Sequence, residues 1–203
     1  NHIKMSGGIA YGKDSITTNE SLPVVSLSFK INDKSCFGVI SNSEDPNTRE
    51  DEYGVFVTPY EKETGDTRFY INSVGEGAVW VSDTNGVLES GDYITTSAIP
   101  GYGMKQDDDV LHNYTVAKIT MNCDFSPPLV NKQTIKKVDG ENVLNANGEI
   151  QWEDAVDESG NPIMEYKYNI RYVNASGEVI DKATYDSAGG HICAFVGCTY
   201  HCG

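Results

Sequence analysis

Ile71–Phe125 reads INSVGEGAVWVSDTNGVLESGDYITTSAIPGYGMKQDDDVLHNYTVAKITMNCDF, and its alternation of short apolar runs with turn chemistry decides the fold. Ala78-Val79-Trp80-Val81 suits a pleated, half-buried surface. Asp83-Thr84-Asn85-Gly86 supplies a turn, because Asn and Gly tolerate the positive φ that tight turns require. Val87-Leu88 returns, Ser90-Gly91-Asp92 turns again, and Tyr93–Ser97 is a β-branched strand. Ile99-Pro100-Gly101-Tyr102-Gly103 breaks the pattern, since proline has no ladder donor and glycine weakens pleated structure. Asn113–Met121 closes the unit, with Tyr114, Val116, Lys118 and Thr120 on one face and Thr115, Ala117, Ile119 and Met121 on the other.

Upstream, Val25, Leu27, Phe29 and Ile31 alternate with Ser26, Ser28 and Lys30, which predicts a strand over Val24–Ile31 burying its apolar face. Cys36–Ile40 is its expected hairpin partner. Ser41–Glu52 contains no apolar residue and reads as a solvated loop; Tyr53–Pro59, Glu61–Asp66 and Thr67–Ile71 read as strand, turn and returning strand. Residues 1–22 are polar and glycine-containing, an irregular leader or the end of a shaft. The opening Asn1-His2-Ile3-Lys4-Met5 suggests a piece or processed product of a longer chain.

Downstream, Ser126-Pro127-Pro128 is a stiff break and the expected domain boundary. Beyond it, turns of one form recur at Asn145–Gly148, Asp157–Gly160 and Asn174–Gly177, with glycine at the left-handed position. Strands are expected at Lys132–Val138, Glu149–Trp152, Glu165–Val173 and Val179–Tyr185, the third as a central strand with Tyr166, Tyr168, Ile170 and Tyr172 facing inward. The best helical candidate, Trp152–Val156, is short. The expected architecture is all-β: two small sandwich- or barrel-like modules of short antiparallel strands, 23–125 and 126–203, with little or no helix.

A net charge of −15 argues against nucleic acid, whose phosphates demand Lys and Arg, and against docking on anionic lipid. The sequence has no apolar run long enough to span a bilayer. Sequons stand at Asn19, Asn113 and Asn174.

The run GEGAVWV…NG…GDYITTSAIPGYGMKQ…YTVAKITM resembles a module of phage tail-fibre proteins and of surface proteins of large DNA viruses of algae and protists. There a GD-(L/Y)-(I/L)-T-(T/S)-S…PG-(Y/H)-(G/A)-M segment precedes a V-(A/G)-K strand. The likeness covers about half of the chain, roughly Lys34–Phe125, with a weaker echo at the Cys-rich end. It implies a structural module at the distal end of a fibre, on the virion surface, in a homotrimer, with attachment to a host-surface glycan or protein through exposed loops. A purely structural capsid or fibre component is the alternative, and a polysaccharide hydrolase a more distant one. Some such fibres end in a self-cleaving chaperone with a Ser–Lys pair; its motif is absent here.

The sharpest chemical cluster is His191, Cys193, Cys198, His201 and Cys202. Thiolates and imidazoles are zinc ligands, so a structural metal is one reading, within a chain or between chains. Disulfides and thiols packed as small hydrophobes are the others. With five Cys in all, Cys36 and Cys123 included, one thiol is left over in a monomer. Asp107-Asp108-Asp109 lacks the glycine and distal Glu of an EF-hand loop and reads as a solvated turn. No hydrolase elbow, zinc-protease, P-loop or dinucleotide motif is present. Cys198 with His201 or His112 is a pairing any chain of this composition offers. No enzymatic activity and no cofactor beyond that metal are expected.

Overall fold

The structure, a computed structural model, describes residues 25–43 and 69–202. The expected leader, the Tyr53–Pro59 strand, the Glu61–Asp66 turn and most of the Ser41–Glu52 loop lie outside the described residues. The described chain is all-β, as expected, and falls into two compact units.

The larger unit is built on β3 (Val74–Ser82), β4 (Tyr93–Thr96), β5 (Gly103–Lys105), β6 (Ala117–Ile119) and β15 (His191–His201). β15 runs antiparallel to β3 along the length of both, from Cys193↔Ser82 to His201↔Val74. β3 meets β5 in parallel at Val81↔Gly103, β5 pairs with β4, β4 with β6, and β6 returns to β15 through Cys198↔Ile119. The pairing therefore closes into a five-stranded ring, which removes the exposed edges an open sheet would present. β13 (Ile170–Val173) adds to the free half of β15, and β14 (Val179–Ile180) adds to β13. Val79, Val81, Ile94, Ala117, Ile119, Ala194, Val196 and Cys198 are buried and form the core of the ring. Full burial of a Val or Ile side chain contributes roughly 1.5–3 kcal/mol.

The smaller unit runs Ser126–Asn169, and β15, expected in the second module, pairs with β3 in the larger unit. The Glu165–Val173 stretch, read as one central strand, is two: β12 (Met164–Tyr166) in the second unit and β13 in the first.

Three further readings change. Val25–Phe29 is not in a strand, and Leu27, Phe29 and Ile31 are 46%, 65% and 47% exposed, while Ser28 and Asp33 are 1% and 5%. Polar anchoring reverses the expected face. Ser28 Oγ donates to Asp33 Oδ2 (3.2 Å), Asp33 N–H donates to Thr96 Oγ1 (2.8 Å), and Thr96 Oγ1 donates to the Lys30 carbonyl (2.7 Å). Consequently the second change follows: β1 (Val39–Ser43), which includes the first residues of the expected loop, pairs with β2 (Phe69–Asn72) instead of with Val24–Ile31. Third, Val87-Leu88 does not return along β3; Leu88 bridges to Cys123.

Helix appears where a strand was expected. α1 (Lys182–Ala188) is capped by Asp181, whose carboxylate accepts from Thr184 N–H at 2.7 Å, and ends at Gly189. Lys182 pairs with Asp186 one turn on, at 2.7 Å. The expected helix at Trp152–Val156 is instead β11 (Trp152–Asp154).

The second unit, Ser126–Asn169, is a set of nested hairpins. β12 pairs with β7 (Leu129–Asn131), β11 with β8 (Gln133–Ile135), and β10 (Glu141–Asn142) with β9 (Lys137–Val138). Two closed triads of backbone hydrogen bonds knit them. In one, Lys136 N–H donates to Gln151, Gln151 to Val143 and Val143 to Lys136, each at 2.9 Å. The second links Lys132, Ile163 and Ala155 in the same cyclic way, at 2.7–2.8 Å. Each triad is a three-way junction from which hairpins project. The projecting turns are those read from the sequence: Asn145 Oδ1 accepts from the amides of Asn147 and Glu149, and Asp157 Oδ1 from those of Ser159 and Asn161.

Candidate functional site

β15 pairs Phe195 directly with Trp80 of β3, their rings 5.1 Å apart and tilted by 36°. Arg171 of β13 stands opposite Cys193, and thus on the same face as Phe195 because side chains alternate along a strand. Its guanidinium carbon lies 3.2 Å from the Trp80 ring centroid, a cation–π stack. Arg171 also donates to Tyr102 Oη at 3.3 Å. The turn containing Ile99-Pro100-Gly101-Tyr102 closes on itself, with Ser97 Oγ donating to the Tyr102 carbonyl at 2.8 Å. It is joined to Ser28 by the Gly101 N–H at 2.8 Å. Ile99, Tyr102, Val173 and Cys193 form a buried cluster against which Trp80 packs.

Beside this platform lies a groove of about 630 Å³, whose lining includes Leu27, Trp80, Pro100, Tyr102, Arg171 and Phe195. That volume is within the range of small-molecule sites. A guanidinium has five N–H donors; Tyr102 takes one, and among the described residues no carboxylate pairs with Arg171. Burial pushes the Tyr102 phenol up, against the opposing pull of Arg171, so Tyr102 stays neutral and accepts. The site thus presents a fixed positive fork on an aromatic floor.

The sequence-predicted cluster does not converge. Along β15, at roughly 3.3 Å per residue, His191 and His201 stand ~33 Å apart. His191, Cys193 and His201 fall on one face of the strand, Cys198 and Cys202 on the other. Among the described residues, no group of three or more His, Cys, Asp or Glu is placed to hold a metal ion. His191 meets Asp83 at 3.3 Å, and His201 meets Thr199 Oγ1 at 3.2 Å. The Cys198–His201 pairing is divided between faces in the same way. Asp108 accepts from Gln106 Nε2 at 2.7 Å and meets His112 Nε2 at 3.0 Å, an ordinary turn arrangement.

None of the five cysteines is disulfide-bonded, and all are buried. Burial pushes the Cys193 thiol up to about 12 and the Cys198 thiol up to about 11, so both are inert packing groups. Cys36 and Cys202 differ. The Cys202 thiol pulls Cys36 down to about 6, and Cys36 in turn pushes Cys202 up; the thiols themselves donate to the Gly38 and Val116 carbonyls at 3.9 and 3.3 Å.

Compared with family models, with curated proteins and with solved structures, the chain matches none. The site therefore rests on its own geometry. Sequence reasoning singled out neither the groove residues nor the Cys36–Cys202 contact. Trp80 and Tyr102 lay inside the deciding stretch, but Arg171 reaches them only through the pairing of β13 with β15.

Proposed function

We propose that the chain is a structural protein of a virion surface, part of a fibre or appendage, whose larger unit attaches to a host-surface saccharide. The observation that carries the attachment reading is the groove built on Trp80, Tyr102, Arg171 and Phe195. Aromatic faces stack on the apolar faces of sugar rings, and a guanidinium fork recognises carboxylates bidentately. An acidic saccharide is the ligand class this combination favours. A chain of net charge −15 repels anions at long range, so Arg171 selects by local geometry, not by steering.

Self-association as a homotrimer completes the proposal. In Ser126–Asn169 most large apolar side chains are exposed, Leu129, Trp152, Val156 and Tyr166 among them, and Tyr168 is the only buried hydrophobe. Two-stranded ribbons without a core are marginal in water, and copies of the same strip supply the missing cover. This strip also favours the second reading, a purely structural component without a ligand.

A glycan array probed with labelled protein separates the two. The attachment reading expects binding to acidic saccharides, little to neutral ones, and loss of binding in Arg171→Gln. Absence of binding by the unmodified chain to every saccharide leaves the structural reading. Sedimentation of the same samples is expected to give a trimer.

A further inference from the structure

We infer that Cys36 and Cys202 are a dithiol modification site, oxidised by low-molecular-weight disulfides to an intrachain bond that locks one wall of the groove. The geometry stands on Ser73. Its hydroxyl donates to the Phe37 carbonyl at 2.6 Å, and its carbonyl accepts from Cys202 N–H at 3.0 Å. One residue therefore holds both the backbone next to Cys36 and that of Cys202, and each thiol is the largest influence on the other's acidity. The turn before Cys36 is fixed in its turn by Cys36 N–H to the Asp33 carbonyl at 3.1 Å.

The alternatives within β15 are closed by distance. Cys198 and Cys202 lie four strand residues apart, ~13 Å, and Cys193 and Cys198 ~17 Å. A disulfide requires Cα atoms within about 7 Å. Access comes from the groove: Cys36 lines it, and the Cys202 thiol donates at 3.3 Å to the carbonyl of Val116, another lining residue. Oxidation leaves that carbonyl satisfied, because it also accepts from His201 N–H at 2.9 Å.

The chemistry is thiol–disulfide exchange. The Cys36 thiolate attacks one sulfur of the small disulfide, forming a mixed disulfide and expelling one thiolate, which takes a proton from solvent. Cys202 then loses its proton and attacks the Cys36 sulfur, expelling the second thiolate. One small disulfide is reduced to two thiols while two protein thiols become one disulfide. The product ties the segment carrying Leu27, Asp33 and Cys36 to the end of β15, joining nearly the two extremes of the described chain.

The test uses the full chain, purified under reduction and incubated at neutral pH with glutathione disulfide, then alkylated and mapped by mass spectrometry. Trypsin leaves Cys193, Cys198 and Cys202 in one peptide after Lys182, so tandem fragmentation between Cys198 and Cys202 assigns the bond. The expected result is a cross-link from the peptide beginning at Ser35 to Cys202, with Cys123, Cys193 and Cys198 alkylated. The melting midpoint is expected to rise by roughly 5–15 °C on oxidation, a rise absent in Cys36→Ser and in Cys202→Ser. The map of the unmodified chain stands even where either variant fails to fold. Alkylation of all five thiols, a bond in any other pair, or cross-links only between chains overturns the inference.

Discussion

Gly77 is the position at which the register of the closing strand is most sharply exposed to test. Its φ is not in the left-handed region, so alanine is conformationally allowed there. A Cβ at Gly77 would, however, approach Cε2 and Cζ of Tyr200 to 2.7 and 2.8 Å. Tyr200 is buried, and its hydroxyl donates to the Ala78 carbonyl at 2.8 Å and accepts from the Ala78 N–H at 3.1 Å. Gly77→Ala must push the ring out of that place. Two hydrogen bonds at about 1 kcal/mol each and an overpacking cost of roughly 1–3 kcal/mol predict a loss of roughly 3–5 kcal/mol. For a chain of this size that lowers the melting midpoint by roughly 6–20 °C. The assay is a double-mutant cycle by thermal or urea denaturation. In a Tyr200→Ala background the same Gly77→Ala change is expected to cost little, since the space is then vacant. A midpoint within ~2 °C of the parent, or a penalty of the same size with and without Tyr200, would refute the pairing of β15 with β3 in this register.

Three further outcomes are expected. Ile31→Ser is expected to leave stability within ~0.5 kcal/mol of the parent, whereas Ser28→Val lowers the urea midpoint by breaking the hold on Asp33; the opposite ranking would restore the buried apolar face read from the sequence. The Asp181 carboxyl is held below its ordinary value by its hydrogen bonds with Thr184. Its contribution is therefore fully present above the unfolded pKa of ~3.9 and lost as pH falls through the folded value, so the melting difference from Asp181→Ala should shrink towards pH 2, and a difference constant across that range contradicts the cap. Finally, iodoacetamide labelling of the reduced chain should reach Cys36 with a midpoint near pH 6, ahead of Cys193 and Cys198; equal rates at all three would contradict the Cys36–Cys202 contact.

The parts of the fold that were legible are those set by short-range chemistry. Asn174, like Asn145 and Asp157, accepts from amides two and four residues on, and Gly177 has φ 79°, so each of these turns is written within five residues. Apolar, β-branched runs located β3 and β4. Asp139-Gly140, a hairpin signal that the reading passed over, makes the tip joining β9 and β10, with φ 51° and 85°. Pairing was not legible, because it is decided by partners far away in sequence. The Cys and His residues of β15 drew attention to metal chemistry, while the alternation of Ala194, Val196, Cys198 and Tyr200 on its buried face was the signal that mattered. At Val24–Ile31 the same alternation misled, since Ser28 and Asp33 hold the segment by polar bonds that no periodicity reveals. The groove needed both failures repaired: β15 had to close the ring before Arg171 could meet Trp80.

The most direct test of the attachment account is an NMR titration of the intact chain with a sialylated or uronate-containing oligosaccharide and its neutral counterpart. The account predicts saturable shifts at the Trp80 indole and at the Arg171 and Phe195 amides with the acidic compound, and none in Arg171→Gln with its fold intact. Shifts scattered over the surface, or identical titrations by the variant, would contradict it.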